Sequence, residues 1–279
     1  MFTLYVVATP IGNLDDVTPR ALQALRAVSV IAAEDTRVAR RFLAHFGISG
    51  KRLVSYNEHN RAGRIPQLLD CLAAGDVALV SDAGTPAISD PGVELVDAAW
   101  TAGHVVTALP GASAVVTALA AAGLRALPFR FIGFLPRRES DLRRLLEALD
   151  SDPDTVVAFE TAPRLRKTLS LLAETLPERR IAVCRELTKL HEEVFRGMST
   201  EALAHFEAPR GEIVIVIEGG ATSEDSEADS TADEAALRDE VREMRSLGLT
   251  RAQATALLAS RHGLNRRRAY ALWLEAETG

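Results

Sequence analysis

The chain has 279 residues, 47% hydrophobic and 25% charged, with a formal net charge of −6. That balance is ordinary for a globular protein and excludes a disordered chain, a collagen-like fibre and a coiled-coil rod. Two cysteines, Cys71 and Cys184, stand far apart without a CxxC, which excludes a disulfide framework and fits a reducing, cytoplasmic setting.

The opening MFTLYVVATP lacks a basic segment ahead of its apolar run and reads as a strand, not a signal peptide. No apolar run reaches the roughly 18 residues of a membrane helix. Residues 4–8 are the first predicted strand, followed by a TPIGN loop and a helix from Thr18, where Thr18 as N-cap and Pro19 behind it form a start signal. Strands follow at 28–33, 77–80 and 105–109, and helices at 64–74, 92–102 and 112–122, the first stopped by Gly75. These strands are continuous apolar runs, the pattern of a parallel sheet covered on both faces. A second unit repeats the theme, with strands at 131–135, 155–159, 181–184 and 212–218 and helices at 139–149, 164–176 and 200–206. The expected boundary falls near Arg125, giving α/β domains at 1–125 and 126–221.

Charge is uneven beyond that point. Residues 222–235 hold six acids and no base, too little apolar surface to offset the entropy of ordering, so they read as an acidic flexible linker. Residues 236–279 form a basic extension predicted as two helices, at 250–261 and 265–275. Clustered arginines there, Arg266 and Arg267 among them, read either as a solvated face or as a contact to nucleic-acid phosphates.

In open parallel sheets ligands collect at the carboxyl ends of strands. Three turns rich in small residues fall at such ends: TPIGN at 9–13, SDAGTP at 81–86 and LPGAS at 109–113. Small side chains let a ligand approach the backbone, and freed N–H groups can bind a carboxylate or hydroxyls; the bland alternative is three plain strand-to-helix turns. No GxxxxGK[ST], GxGxxG after a strand, HExxH or GxSxG is present, so a P-loop, a nicotinamide or ordinary Rossmann methyltransferase site, a zinc hydrolase and a nucleophile elbow are not signalled, and no metal is expected. Cys184, inside a strand, reads as core.

TPIGNLDDVTPRAL, IAAEDTR, VSDAGTPAISDPG, LPGASAV, GFLP, RELTK and GEIVIVIEG occur in this order. Together they resemble the RsmI group of small-subunit rRNA ribose methyltransferases, within the tetrapyrrole-methylase superfamily of class III methyltransferases. The resemblance runs from about Leu4 to Gly219, and the tail is similar to that group's C-terminal extension. It implies two α/β domains with S-adenosylmethionine in the cleft between them, a homodimer, and methylation of the 2′-OH of a cytidine in the decoding region of 16S rRNA within the small ribosomal subunit. Carried over by position, Pro10 and Ile11 contact the cofactor; Asp82, Gly84, Thr85 and Ile88 meet its methionine and ribose; Ala112 and Ser113 lie near its carboxylate or amino group. Phe159, Leu187, Glu212 and Ile213 match segments that cover the adenine. The chain departs from the common pattern at Ala112, where the turn usually reads LPGPSA, and in FETAPRL, which replaces YES-x-HR.

A ribose hydroxyl is a poor nucleophile, so a base or a cation that lowers its pKa is expected. Asp35, Glu186 and Lys189, polar groups at predicted strand ends, are candidates, though Asp35 and Glu186 can equally be structural partners of Arg37 and Arg185. His59 and Asn60, in the YNEHNR loop, are candidate RNA contacts, as are the phosphate-seeking Arg37, Arg40, Arg41, Arg137, Arg138, Lys189 and the tail arginines. Two rivals remain: methylation of a tetrapyrrole or other small acceptor, and a non-catalytic RNA-binding role for the same scaffold.

Overall fold

The computed structural model describes residues 1–220, 237–247, 249–262 and 272–273. The chain divides into two compact units, Met1–Gly220 and Ala221–Gly279. The first holds two five-stranded sheets.

The first sheet contains β1 (Thr3–Val7), β2 (Val30–Ala33), β3 (Arg52–Ser55), β4 (Val77–Val80) and β5 (Val105–Leu109) in the order β3-β2-β4-β1-β5, every pair parallel. Helices α1 (Pro19–Ala27) and α2 (Thr36–His45) cover one face through Ala21, Leu25, Ala39 and Leu43. Helices α3 (Arg61–Ala74) and α4 (Val93–Thr101) cover the other through Leu68, Leu72, Leu95 and Ala99. The Thr18 start signal is realised: its hydroxyl accepts from the Ala21 N–H at 3.2 Å, with Pro19 in the first turn. Two elements of this half had no counterpart in the sequence reading. α2 was hidden because its polar start, Glu34 to Arg37, reads as a strand-ending loop. β3 was hidden because it is a four-residue edge strand.

The second sheet contains β6 (Phe129–Phe134), β7 (Thr155–Thr161), β8 (Arg180–Arg185), β9 (Glu193–Met198) and β10 (Glu212–Ile217) in the order β6-β7-β10-β8-β9. Only β6 and β7 pair in parallel; β7–β10, β10–β8 and β8–β9 are antiparallel. This corrects the expectation that the second half repeats a parallel theme. Its strands are continuous apolar runs because both faces are covered, and coverage says nothing about strand direction. Helix α5 (Ala114–Ala122) packs Val115, Ala118, Leu119 and Ala122 on one face, against Val157, Ala182, Cys184, Val214 and Val216. Helices α6 (Glu139–Leu149), α7 (Ala162–Thr175) and α8 (Ser199–His205) close the other. There Leu146, Leu165, Leu169 and Leu172 are fully buried, each contributing about 1.5–3 kcal/mol of transfer free energy. The edge strand β9, EVFRGM, interleaves charge with apolar residues and was not anticipated.

In the second unit, residues 237–246 are helical and Arg251–His262 forms a helix. Val241, Met244, Ala254, Leu258, Leu272 and Trp273 make its core. The Arg245 guanidinium lies 4.3 Å from the Trp273 ring centroid, and Arg261 pairs with Glu240 at 2.9 Å. Two tail arginines thus serve the unit's own packing. The predicted linker 222–235 and residues 263–271 of the tail, with Arg266 and Arg267, lie outside the described residues, as does most of the predicted helix 265–275.

Candidate active site

All the strands of a parallel sheet present their carboxyl ends on one side, and the three small-residue turns meet there. Thr9 and Gly84 exchange backbone hydrogen bonds of 2.8 and 3.0 Å, which ties the TPIGN turn to SDAGTP. The Thr85 hydroxyl reaches the Ala112 carbonyl at 3.5 Å, which joins the third turn. A cavity of about 470 Å³ opens beside them, within the roughly 300–1,000 Å³ range of small-molecule sites.

Nine sequence-predicted cofactor residues line it: Ile11, Gly84, Thr85, Ile88, Ser113, Phe159, Leu187, Glu212 and Ile213. Pro10, Asp82 and Ala112 stand behind the lining rather than in it. The second sheet closes the cavity with one edge, made of the carboxyl ends of β6, β7 and β8 and the amino end of β10; Thr161 faces Glu212 and Ile213 faces Arg185 across that edge. Lining residues that the sequence reading missed include Asp90, Phe134, Glu160 and Gly211, together with Cys184 and Val214, which serve core and cavity at once. Nothing in an apolar run marks which of its residues look into a cavity. Asp90 was findable, since SDPG repeats the acid-plus-small-residue chemistry of SDAGTP eight residues earlier.

The turns store backbone strain. Ala87 (φ 71°) and Ser89 (φ 62°) on one side, and Glu186 (φ 51°) and Thr188 (φ 66°) on the other, occupy the left-handed region, a costly state for residues with a Cβ that clusters at functional sites. Gly12 has no room for a Cβ, which would collide with Lys189 and Thr188, and the Asn13 N–H donates to the Thr188 hydroxyl at 3.0 Å. The first turn is therefore clamped to RELTK, and Ile11 and Leu187 are set in the cavity wall.

Three carboxyl groups crowd the SDAGTP side. The Asp82 N–H donates to Glu34 Oε2 at 3.3 Å, and the Asp35 N–H to Asp82 Oδ1 at 3.0 Å. Burial chiefly raises the pKa of Glu34 and of Asp82, helped by repulsion from Asp82 and Asp35 on Glu34 and from Asp35 on Asp82. Asp90, which faces the cavity, is pushed up to about 6, chiefly by burial, then by Glu34 and Asp82, against a hydrogen bond from Ser81. Such a group exchanges its proton near neutrality.

The three sequence-predicted catalytic candidates do not line the cavity. Asp35 caps α2 by accepting from the Arg37 N–H at 2.8 Å and grips the Arg37 guanidinium, which holds its carboxyl well below the usual range. Lys189 donates to Glu186 at 2.8 Å and Glu212 at 2.9 Å, and the Glu212 N–H donates to Glu186 at 2.9 Å. Lys189 lowers the Glu186 pKa, while partial burial of Lys189 opposes its own charge and is outweighed by the two carboxylates. Of the RNA candidates, Asn60 is engaged in its turn, accepting from the Asn57 N–H at 2.8 Å and donating to Ser55. His59 and Arg137 are exposed, and Arg37 lies on α2.

The family model for tetrapyrrole (corrin/porphyrin) methylases matches residues 3–203. The chain belongs to that family and is a methyltransferase. It is 47% identical to the ribosomal RNA small subunit methyltransferase I of Synechocystis sp., across 99% of both chains. It is 41% identical to the protein of that name in Bacillus subtilis, over 97% of this chain and 93% of that one. Among solved structures it is similar in fold to the methyltransferase CobJ (TM-score 0.60, 22% identity, 80% of this chain and 96% of that one). It is likewise similar to the cobalt precorrin-4 methyltransferase CbiF (TM-score 0.58, 18% identity, 77% and 94%). No helix among the described residues is long and apolar enough to cross a membrane, and no cluster of metal-binding side chains occurs among them.

Proposed function

We propose that the protein transfers the methyl group of S-adenosylmethionine to the ribose 2′-OH of a cytidine in the decoding region of 16S rRNA, acting as a homodimer on the small ribosomal subunit in the cytoplasm. The cavity carries the cofactor reading. It has the volume for a nucleoside-sized molecule, an apolar lining for an adenine and a methionine chain, and at Gly84 (φ 77°) a backbone that a ligand can approach closely. The names of the relatives support the RNA acceptor. Val93 and Trp100, exposed and seven residues apart on one face of α4, support an interface between copies.

The cofactor supplies a methyl already activated by a sulfonium. The chain's own residues do the rest. Ile11, Leu187, Phe159 and Ile213 exclude water from the reacting atoms, and the strained turns hold that wall in place. Asp90, in the cavity wall, is the residue that would take the proton of the ribose hydroxyl on its carboxylate. Asp35, Glu186 and Lys189 act by position: the first fixes α2, the others fix RELTK. Phe134, 57% exposed at the cavity mouth and edge-on to Phe159 at 5.4 Å, offers a face on which a splayed base stacks.

Incubating the protein with methyl-labelled cofactor and either small subunits or uroporphyrinogen tests the acceptor. Label is expected in 16S rRNA, at a 2′-O position resistant to alkaline cleavage. Label entering only the porphyrin would overturn the RNA reading and favour the tetrapyrrole one. No cofactor binding at all would favour a non-catalytic scaffold.

A further inference from the structure

Several arginines of the first unit have carboxylate partners. Arg61 meets Glu58 and Glu94, Arg143 meets Glu174, Arg180 meets Glu218, and Arg130 meets Asp152. Residues 36–57 concentrate positive charge, with five lysines or arginines and no acid in a chain of net charge −6. Lys51 is consumed by the carbonyls of Arg26 and Val28, at 2.6 and 2.7 Å. Arg37 is held by Asp35 but stays 83% exposed. Arg40 and Arg41 are exposed and make no ion pair or hydrogen bond through their side chains among the described residues.

Helix geometry puts these cations together. Ala39 and Leu43 point into the sheet, so Arg37, Arg40, Arg41 and Ala44, at i, i+3, i+4 and i+7, share the opposite face. That face lines an open groove of about 670 Å³ with Asp35 and Val38. A hydrogen bond links the first residue of the groove to the turn beside the cavity. The Asp35 N–H donates to Asp82, whose neighbours Ala83, Gly84 and Thr85 line the active-site wall. Arg40 and Arg41 stand about 8–9 Å further along α2, at roughly 1.5 Å per residue.

We propose that the outer face of α2 is a docking track for the phosphodiester backbone of the acceptor RNA, with Arg40 and Arg41 as its phosphate contacts and Arg37 beside them. This rests on the RNA reading above and adds the place where the strand enters. Guanidinium forks match phosphate oxygens in two-point contacts, and two such groups left without carboxylates keep their full attraction for a polyanion. The site needs no net positive charge, because a local patch sets phosphate affinity.

The test uses the full chain and a fluorescein-labelled RNA carrying the acceptor region, titrated at several salt concentrations. Wild type, R40A/R41A and a control of equal charge change on α1 and α6, R20A/R144A, are compared. In R40A/R41A the affinity is expected to fall about tenfold or more, and the slope of log affinity against log salt to shrink by roughly 1.4–1.8, the yield of two phosphate contacts. The control should keep the wild-type slope, and cofactor affinity by calorimetry should be equal in all three. Wild-type slope and affinity in R40A/R41A would overturn the track alone. An equal loss in the control would reduce it to net charge. Wild type failing to bind the RNA would overturn the underlying RNA reading as well.

Discussion

The two sheets of the first unit contribute to one cavity by different routes. In the parallel sheet every carboxyl end faces the same side, so the chain reverses there through turns of small residues and places Ile11, Gly84, Thr85 and Ser113 at its mouth. In the mixed sheet, ends of both senses share one edge. Site residues there are the last residues of β7 and the first of β10, or strand-face residues such as Phe159 and Val214 that double as core. The first half thus builds the site from turns whose backbone must be open, and the second from packing. Changes at the turns of the first half should alter chemistry and binding, and changes in the packed interior of the second should act through stability.

The sharpest way to break that contrast is Asp90→Asn, in the turn-built half. Loss of a positioned proton acceptor should lower kcat about 10²–10⁴-fold, with cofactor affinity retained. In the wild type the rate should rise with pH through about 6, as Asp90 ionises, and the variant should lose that limb. Stability moves oppositely. The folded state favours the protonated carboxyl, so the wild type loses stability as pH rises from about 4 through 6, and Asp90→Asn should melt higher than wild type at pH 8 but not at pH 4. Unchanged kcat would remove Asp90 from the chemistry.

Leu165→Ala, in the packing-built half, should cost about 2–5 kcal/mol by denaturant unfolding, because a fully buried side chain between α7 and its sheet leaves a cavity. Cofactor affinity in the surviving folded protein should stay near wild type. A large affinity loss would erase the distinction between the halves. Gly84→Val sharpens the same point from the other side. A β-branched residue at φ 77°, with its Cβ 3.5 Å from Ile11, is strained by about 1–3 kcal/mol. Calorimetry should show cofactor binding weakened about 10- to 100-fold. The smallest effect belongs to Thr18→Ala, remote from the cavity, which should cost about 1 kcal/mol of stability through the lost cap and leave the rate unchanged.

Legibility followed the same division. The runs Val77–Val80 and Val105–Leu109, the Glu139–Leu149 helix and the Thr18 cap were readable because local pattern and tertiary role agree there. Strand direction in the second sheet was not, since two-sided burial gives the same apolar run in either sense. β3 and β9, at the edges, carry mixed polarity. The turn residues were readable as ligand-facing because small side chains at strand ends have few other uses. Asp35, Glu186 and Lys189 were visible as polar groups at strand ends, but their engagement with Arg37 and with one another depends on contacts that no spacing reveals.

The central claim is that the cavity at the small-residue turns holds a methyl donor, and calorimetric titration of the full-length chain with S-adenosylmethionine tests it most directly. Saturable binding of one molecule per chain, weakened in Gly84→Val while far-ultraviolet circular dichroism stays native, is the predicted result. A natively folded chain that takes up no donor at millimolar concentration would contradict it.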